Sequence, residues 1–316
     1  MNDVDLIIIG AGPAGMAAAK TAAESGAQVL VLDEQPQAGG QIYRNVANNQ
    51  EDQTHLGKDY FAGKKPVLEL GHPNITTEFS ASVWRIEAGP RVVWSRDGIS
   101  RHCSAQYLLL AGGAQERPTP FPGWTLPGVM PVGAAQILMK SSGLLPKDAI
   151  LAGSGPLLYL VAAQLVEAGA PPKALVETQT FAMMRQSLRH FPRALLSMPT
   201  LLKGLGLLLK IHRAKIARYT AAYQFRATAS EDGNVQFSFK TKEQEHQLEA
   251  PILLTHQGVV PSTHMGRSAG IEHVWNSPQQ AYHPVKDAWG RTNVPKVYIA
   301  GDGAGIGGAE AALASG

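Results

Sequence analysis

The chain has 316 residues and a mass of 33.6 kDa, with 44% apolar and 17% charged residues, a formal net charge of +3 and a pI near 8.9. That length allows about two domains, each with its own core, and a mildly basic composition without an aromatic-interleaved basic stripe argues against nucleic acid as a partner. One cysteine, Cys103, excludes an internal disulfide framework, a CxxC dithiol centre and a cysteine-ligated iron–sulfur cluster within these residues.

Leu6 to Ile9 form a short apolar strand that runs into Gly10-Ala11-Gly12-Pro13-Ala14-Gly15 and then an alanine-rich helix from Met16 to Glu24. Such a strand belongs in a parallel sheet covered on both faces. In a dinucleotide-binding turn, Gly10 permits the tight bend, Gly12 lets a pyrophosphate reach the backbone, and Gly15 lets helix and strand pack closely. A second strand, Val29 to Leu32, ends in Asp33-Glu34, the place where a carboxylate accepts hydrogen bonds from an adenosine ribose and disfavours a 2′-phosphate. This first site is expected to hold FAD or NAD and not NADP.

Gly39-Gly40-Gln41-Ile42-Tyr43-Arg44 follows as a polar and aromatic turn, and then a polar stretch from Asn45 to Leu56 that reads as mobile. A strand is expected at 75–79. An antiparallel meander around Gly89-Pro90 and Asp97-Gly98 uses 82–86, which contains the candidate contact residue Val83, and 91–95. Tyr107 to Leu110 is the next buried strand and ends in Ala111-Gly112-Gly113-Ala114. The proline-rich segment from Pro118 to Trp124 marks a domain boundary.

The opening pattern then returns. Strand Ala149 to Ala152, turn Gly153-Ser154-Gly155-Pro156, helix Leu157 to Ala168 and strand Lys173 to Glu177 repeat the order strand, glycine turn, helix, strand, acid. Leu158 stands where the third glycine belongs, so nucleotide binding is expected to be weakened or altered there. Residues 181–218 read as one long helical stretch whose Arg185, Arg189, Arg193, Lys203, Lys210, Arg213, Lys215 and Arg218 form a solvated basic face, with a subunit-docking or membrane-surface patch as the alternative. Strands resume at 219–229, 235–240 and 252–255, and His256 leads out of the second domain; its ordinary reading is structural, the alternative being an approach to a flavin or nicotinamide ring. Val297 to Gly303 is a last buried strand ending in Gly301-Asp302, with Gly307-Gly308 opening a helix. No signal-peptide pattern and no apolar run of roughly 20 residues occurs, so the expectation is a cytoplasmic protein with no transmembrane segment. The ten histidines lack metal-ligand spacing, and no metal is expected.

Together, Asp33 to Pro36, Gly39 to Arg44, Glu116-Arg117-Pro118, Phe121 to Val129 and Gly153 to Leu158 resemble flavoproteins with two dinucleotide-binding domains. Within that group they are similar to the A (alpha) subunits of opine oxidases, the B subunit of hydrogen cyanide synthase, and the corresponding chains of proline or hydroxyproline dehydrogenases and sarcosine oxidase. The resemblance implies an α/β chain of two Rossmann-like domains, 118–255 inserted into 1–117 and 256–316, in a thioredoxin-reductase-like arrangement without the CxxC. It implies FAD on Gly10, Gly12, Pro13, Ala14, Gly15, Asp33, Glu34 and Gln35, with Gly40, Gln41, Ile42, Tyr43 and Arg44 near the flavin. Val83, Ala111, Gly112 and Gly113 complete that site, and Gly301 and Asp302 reach the ribityl chain. NAD is the candidate ligand of Gly153, Gly155, Pro156 and Glu177.

Ala111-Gly112-Gly113 replaces the Ala-Thr-Gly usual in the group, and the cysteine-rich tail usual in such subunits does not occur in these residues, as in a fragment or a short variant. In such enzymes amine oxidation usually takes place in a partner subunit of a hetero-oligomer, so no catalytic acid or base is assigned here. The reading is one subunit of an FAD-dependent oxidoreductase whose small redox substrate belongs to the amine or amino-acid class. A self-sufficient NADH-dependent flavin reductase and a nucleotide-binding scaffold are the alternatives.

Overall fold

Strand β1 (Val4–Ile9) is the central rail of a parallel sheet, because its Ile7 and Ile8 are wholly enclosed and both of its edges are paired. The computed structural model describes residues 4–87, 89–187, 198–242 and 244–316. They divide into two compact units, the first of Met1–Gln53, Gly57–Gln115 and Val259–Gly316, the second of Thr54–Leu56 and Glu116–Gly258.

The first unit continues from β1 through helix α1 (Pro13–Glu24) to β2 (Val29–Leu32), the short helices α2 (Lys58–Phe61) and α3 (Lys64–Glu69), and β3 (Ile75–Glu78). Strands β4 (Ser82–Glu87) and β5 (Arg91–Arg96) lead to β6 (Ile99–Leu110), and β7 (Ala114–Glu116) ends the segment. β3, β2, β1 and β6 lie side by side in parallel. The first half of β6 pairs antiparallel with β5, which pairs with β4. The meander's third strand and the buried strand at 107–110 are thus one twelve-residue element. Sequence alone registers only its end, because apolar residues become continuous only where both faces are covered, whereas in 99–104 Cys103 alone is buried.

In the second unit, β8 (Val129–Pro131) leads into α4 (Val132–Ser142), and β9 (Ile150–Ser154), α5 (Pro156–Glu167) and β10 (Ala174–Glu177) repeat the opening unit. Helices α6 (Phe181–Ser187) and α7 (Met198–Arg213) precede β11 (Ala217–Tyr219). The antiparallel strands β12 (Tyr223–Ala229), β13 (Val235–Lys240) and β14 (Glu245–Ala250) follow, and then β15 (Leu253–Gln257). The parallel sheet runs β11-β10-β9-β15-β8. Phe237 and Phe239 are buried from β13, and Phe225 meets Phe237 edge-on at 5.1 Å between ring centres.

The single helical stretch expected over 181–218 is corrected. Residues 188–197, with Arg189 and Arg193, lie outside the described residues. α7 ends at Arg213, Lys215 takes a left-handed φ of +54°, and Arg218 sits on β11 beside β10 rather than on a helical face. Three residues are too few for strand periodicity to register beside a leucine-rich helix.

The first unit resumes with β16 (Val259–Pro261), which pairs with β7, the short helix α8 (His264–Ser268), the hairpin β17 (His273–Asn276) and β18 (Ala281–Pro284), β19 (Val297–Ile299), and α9 (Ala309–Ser315). β19 joins the sheet in parallel with β6. The core here is Ile7, Ile9, Leu30, Leu32, Trp94, Cys103, Leu108, Leu110, Val297 and Ile299. Where the sequence reads as mobile after Arg44, successive turns are pinned: Tyr60 Oη donates to the Arg44 carbonyl at 2.6 Å, and Val46 is buried. Among the described residues no helix is long and apolar enough to cross a membrane.

Phe237→Ala is expected to cost about 3–5 kcal/mol, the usual range for deleting a buried aromatic ring. Chemical denaturation followed by circular dichroism checks the shift in midpoint.

Candidate functional site

At Gly10 and Gly15 of the first glycine turn the backbone leaves no space for side chains. A Cβ on Gly10 would stand 2.4 Å from the Ala111 carbonyl oxygen, and one on Gly15 would stand 1.8 Å from the Gly10 oxygen. Gly10 also bends with a φ of +107°, in the region that favours glycine. At Gly12 the arrangement is open, the nearest atom to a Cβ being the Gly40 Cα at 3.8 Å. Gly12 is the N-cap of α1 and Pro13 its first residue, which has no N–H to satisfy. Met16 closes the first helical hydrogen bond onto the Gly12 oxygen at 2.9 Å, so the Ala14 and Gly15 N–H groups have no acceptor within the helix. These amides and the helix dipole form an anion seat.

Asp33, buried at the end of β2, holds this turn in shape. Its Oδ2 accepts the Ala11 N–H at 2.6 Å and its Oδ1 the Gln35 N–H at 2.8 Å. Burial pushes its carboxyl above the ordinary range, while those two amides pull the other way. Glu34 is exposed, and Gln35 Nε2 donates to it at 3.2 Å. The Ser80 N–H bonds the Gln35 carbonyl and the Ala81 N–H the Asp33 carbonyl, each at 2.9 Å, so the chain entering Val83 is laid against the acid end of the turn. Val83 itself is partly buried against the core.

Gly40 packs on Gly12, where a Cβ would come within 2.9 Å of the Gly12 Cα. Gln41 and Ile42 are exposed, whereas Tyr43 is buried beneath Gly63. Arg44 links two parts of the site, donating through Nη1 to Gln35 Oε1 and through Nη2 to Gln41 Oε1 at 3.0 Å. Gly112 and Gly113 have open space where side chains would stand. From the far end of the unit, Gly301 packs against Ala14, a Cβ there lying 2.8 Å from the Ala14 Cβ. Asp302 Oδ1 accepts the Gly307 and Gly308 N–H groups at 2.9 Å each, fixing the entry to α9. Residues separated by nearly 300 positions thus surround one helix N-terminus.

The second turn repeats the order of glycines and proline, but its N-cap Gly155 takes a φ of +110° where Gly12 has −78°, and its surroundings differ. A Cβ on Gly153 would meet the His256 carbonyl oxygen at 1.8 Å, and Gly155 and Pro156 open α5 as Gly12 and Pro13 open α1. Leu158, in the third-glycine place, is fully buried. Glu177 is committed within the unit. Arg218 donates to both its oxygens, with Nε to Oε2 at 3.0 Å and Nη2 to Oε2 at 2.8 Å and to Oε1 at 3.0 Å, and Tyr159 Oη donates to Oε1. Burial and this carboxylate push the Tyr159 phenol well above its usual range. His256 is buried, with Nδ1 2.5 Å from Glu116 Oε1, while Glu116 Oε2 accepts the Gly133 N–H at 2.7 Å. Sequence reasoning missed Tyr159 and Arg218 as the partners of Glu177, and no periodic pattern signals them. Glu116 was visible only as part of Glu116-Arg117-Pro118.

Residues 4–316 match the profile of the pyridine nucleotide-disulphide oxidoreductase family, and the chain belongs to that family. It is 44% identical to the A subunit of opine oxidase from Agrobacterium tumefaciens (strain Ach5), over 99% of this chain and 63% of the relative. It is 34% identical to the HcnB subunit of hydrogen cyanide synthase from Pseudomonas aeruginosa, over 98% of this chain and 68% of that one. Against the corresponding opine oxidase chain of Rhizobium meliloti the identity is 42%, and there too the chain spans less than two thirds of the relative, 61% of its length. In fold it is similar to thioredoxin reductase of T. acidophilum, with a TM-score of 0.68 at 19% identity, covering 100% of this chain and 95% of the other. The flavoprotein disulfide reductase RclA of Escherichia coli gives a TM-score of 0.71 at 19% identity, over 100% and 69% of the two chains. The mixed α/β architecture with Rossmann-like parallel sheets is therefore the one the sequence implies, and the family supports FAD as a cofactor.

Asp33→Asn can replace only one of the two acceptors and leaves a buried N–H unsatisfied, at a cost of about 1–3 kcal/mol. The expected result is a lower flavin content per purified chain, read by absorbance. Arg218→Ala is expected to destabilise by about 3 kcal/mol, the low end of the range for stranding a buried charge because the guanidinium is partly exposed. Thermal denaturation at neutral pH checks it, and Glu177→Gln in the same background should recover part of the loss.

Proposed function

We propose that this pyridine nucleotide-disulphide oxidoreductase is the FAD-carrying subunit of an oxidase or dehydrogenase acting on an amine or amino-acid derivative of the opine class. The observation that carries the reading is the first turn, an anion seat in which Gly10 and Gly15 have no room for side chains and whose shape is locked by a buried carboxylate. The relatives named as subunits of opine oxidase and hydrogen cyanide synthase support both the substrate class and a partner chain.

The Ala14 and Gly15 amides would hold the pyrophosphate. Asp33 has its two oxygens on backbone amides, so the exposed Glu34 is the carboxylate available to a ribose. Asp302 would take a ribityl hydroxyl with Oδ2, since Oδ1 is used on Gly307 and Gly308. Arg44 braces Gln41 against Gln35, which steadies the Gly40–Ile42 backbone beside the ring. When bound, FAD supplies the acceptor for a hydride or for single electrons. The chain's own contribution is to bind, orient and tune it.

A self-sufficient NADH-dependent flavin reductase is the second reading, favoured by the repeated glycine turn. Its weakness is Glu177, whose oxygens are already filled by Arg218 and Tyr159.

The purified chain is expected to be yellow, with FAD identified by mass spectrometry. Under anaerobic conditions NADH should leave the flavin oxidised, and an opine-type amine should bleach it only once the partner chain is present. Rapid bleaching by NADH alone would replace this reading with the reductase, and bleaching by amine without a partner would remove the subunit role.

A further inference from the structure

Between Glu177 and Glu231 the chain has no acidic residue, although it has 25 in all, and the same stretch has nine lysines and arginines. Helix α7 (Met198–Arg213) lies in it, with its apolar residues turned the wrong way for a helix that only completes a core. It packs on α5, where its Ile211 is buried and Lys210 pairs with Glu167. Met198, Leu202, Leu205 and Leu209 follow one another at helical spacing and share one stripe. They are 45%, 61%, 55% and 46% exposed. At about 100° per residue, Ile211 stands roughly 150° round the helix from the middle of that stripe, so the stripe faces away from the core. It runs for about 17 Å and ends among cations, with Lys210, His212 and Arg213 in the last turn and Lys215 just beyond. Arg213 and Lys215 are exposed and make no ion pair among the described residues.

We propose that α7 is an interfacial helix that seats the chain on the surface of an anionic phospholipid bilayer. The leucine stripe enters the boundary between headgroups and acyl chains, and Arg213 and Lys215 meet lipid phosphates at its end. The helix lies along the bilayer and does not cross it, since its 16 residues rise only about 24 Å and include Lys203 and Lys210. The solvated basic face expected over 181–218 is thereby corrected on α7: the cations border an apolar stripe instead of covering a face.

Two features favour lipid over a protein partner. Leucine is under-represented among the residues that anchor protein interfaces, where Trp, Tyr and Arg lead, and the stripe has no aromatic ring. A row of leucines on one convex helix gives a rigid partner nothing to grip, whereas a fluid acyl layer moulds itself to the row. Secondly, a protein partner is held in register by charges of both signs, and residues 178–230 offer only one. The two acids nearest in space are engaged, Glu167 by Lys210 and Glu177 by Arg218. What remains is a field of single sign suited to a layer of phosphates. This inference rests on the second unit alone and does not require the amine-oxidising reading.

Flotation of the purified chain with unilamellar vesicles tests it, using phosphatidylcholine alone or with about 30% phosphatidylglycerol, at about 0.05 M and about 0.5 M NaCl. The expected result at low salt is binding to the mixed vesicles at least about tenfold stronger than to phosphatidylcholine, falling toward the phosphatidylcholine level at high salt. Leu205→Glu puts a charge in the middle of the stripe and should weaken binding by about tenfold or more. Arg213→Gln combined with Lys215→Gln keeps the stripe and should weaken binding to the mixed vesicles by about fivefold per cation, with phosphatidylcholine binding unchanged. No flotation with the mixed vesicles at millimolar lipid, equal binding to both compositions, or Leu205→Glu binding as the wild type does would each overturn the proposal. A chain that ignores vesicles yet self-associates, with Leu205→Glu returning it to the monomer, assigns the stripe to a protein contact and overturns it too. If Leu205→Glu melts early, the paired Arg213→Gln and Lys215→Gln variant decides, because its stripe is intact.

Discussion

Helix α1 lies so close to β1 that position 15 has no room for one extra carbon, and the first unit is arranged around that approach. The buried residues of the helix are Ala14, Gly15, Met16, Ala18, Ala19 and Ala23, mostly the smallest side chains available. Because the helix sits low, its N-terminus opens directly onto the end of β1, where Ala111, just past β6, and Gly40, from the loop after β2, crowd in. Gly301 can then rest on Ala14 and deliver Asp302 to the same place. A bulkier helix would lift the amides away from these neighbours, and each part would survive without forming one site.

The two glycine turns show how little of a binding site resides in its fingerprint. Both have a glycine N-cap, a proline at the first helical position and a strand ending in an acid. At the first, the acid in the usual place is spent on the backbone and its exposed neighbour Glu34 is left facing outward. At the second, Glu177 is buried with a guanidinium and a phenol, and no second acid follows it, since residue 178 is threonine. Electrostatics separates them as well as backbone geometry, in which the N-cap φ is −78° at Gly12 and +110° at Gly155. A carboxylate with all its lone-pair directions filled in a low-dielectric interior gains little from a sugar hydroxyl and would first have to surrender an ion pair.

The fold was largely legible in the sequence, because it is built from βαβ units whose buried strands are short apolar runs bounded by glycine. Ile7 to Ile9, Leu30 to Leu32, Leu108 to Leu110 and Ile150 to Ala152 all signal themselves in that way. Elements of three residues, such as β7, β11 and β16, carry no periodicity, and the hairpin of β17 and β18 has Val274, Trp275 and Tyr282 facing outward, so burial gives it no alternating pattern. The glycines of the site were legible because their constraint is local and steric. The use of Asp33 on Ala11, of Arg218 on Glu177 and of Glu116 on His256 was not. Each pairing joins residues distant in sequence, and any charged residue satisfies the local pattern equally well.

The twelve residues of β6 extend roughly 40 Å as a single strand, and two sheets grip it at opposite ends. Its side chains alternate faces, so a slip of one residue would turn Cys103 outward from the meander and, in the same movement, Leu108 and Leu110 outward from the parallel core. Neither sheet can adopt a wrong alignment without the other resisting. The meander thus works as a proofreading device for the strand that carries Ala111 to Gly10: the small antiparallel sheet, which contributes few of the residues at the turn, guards the sub-ångström fit on which the turn depends.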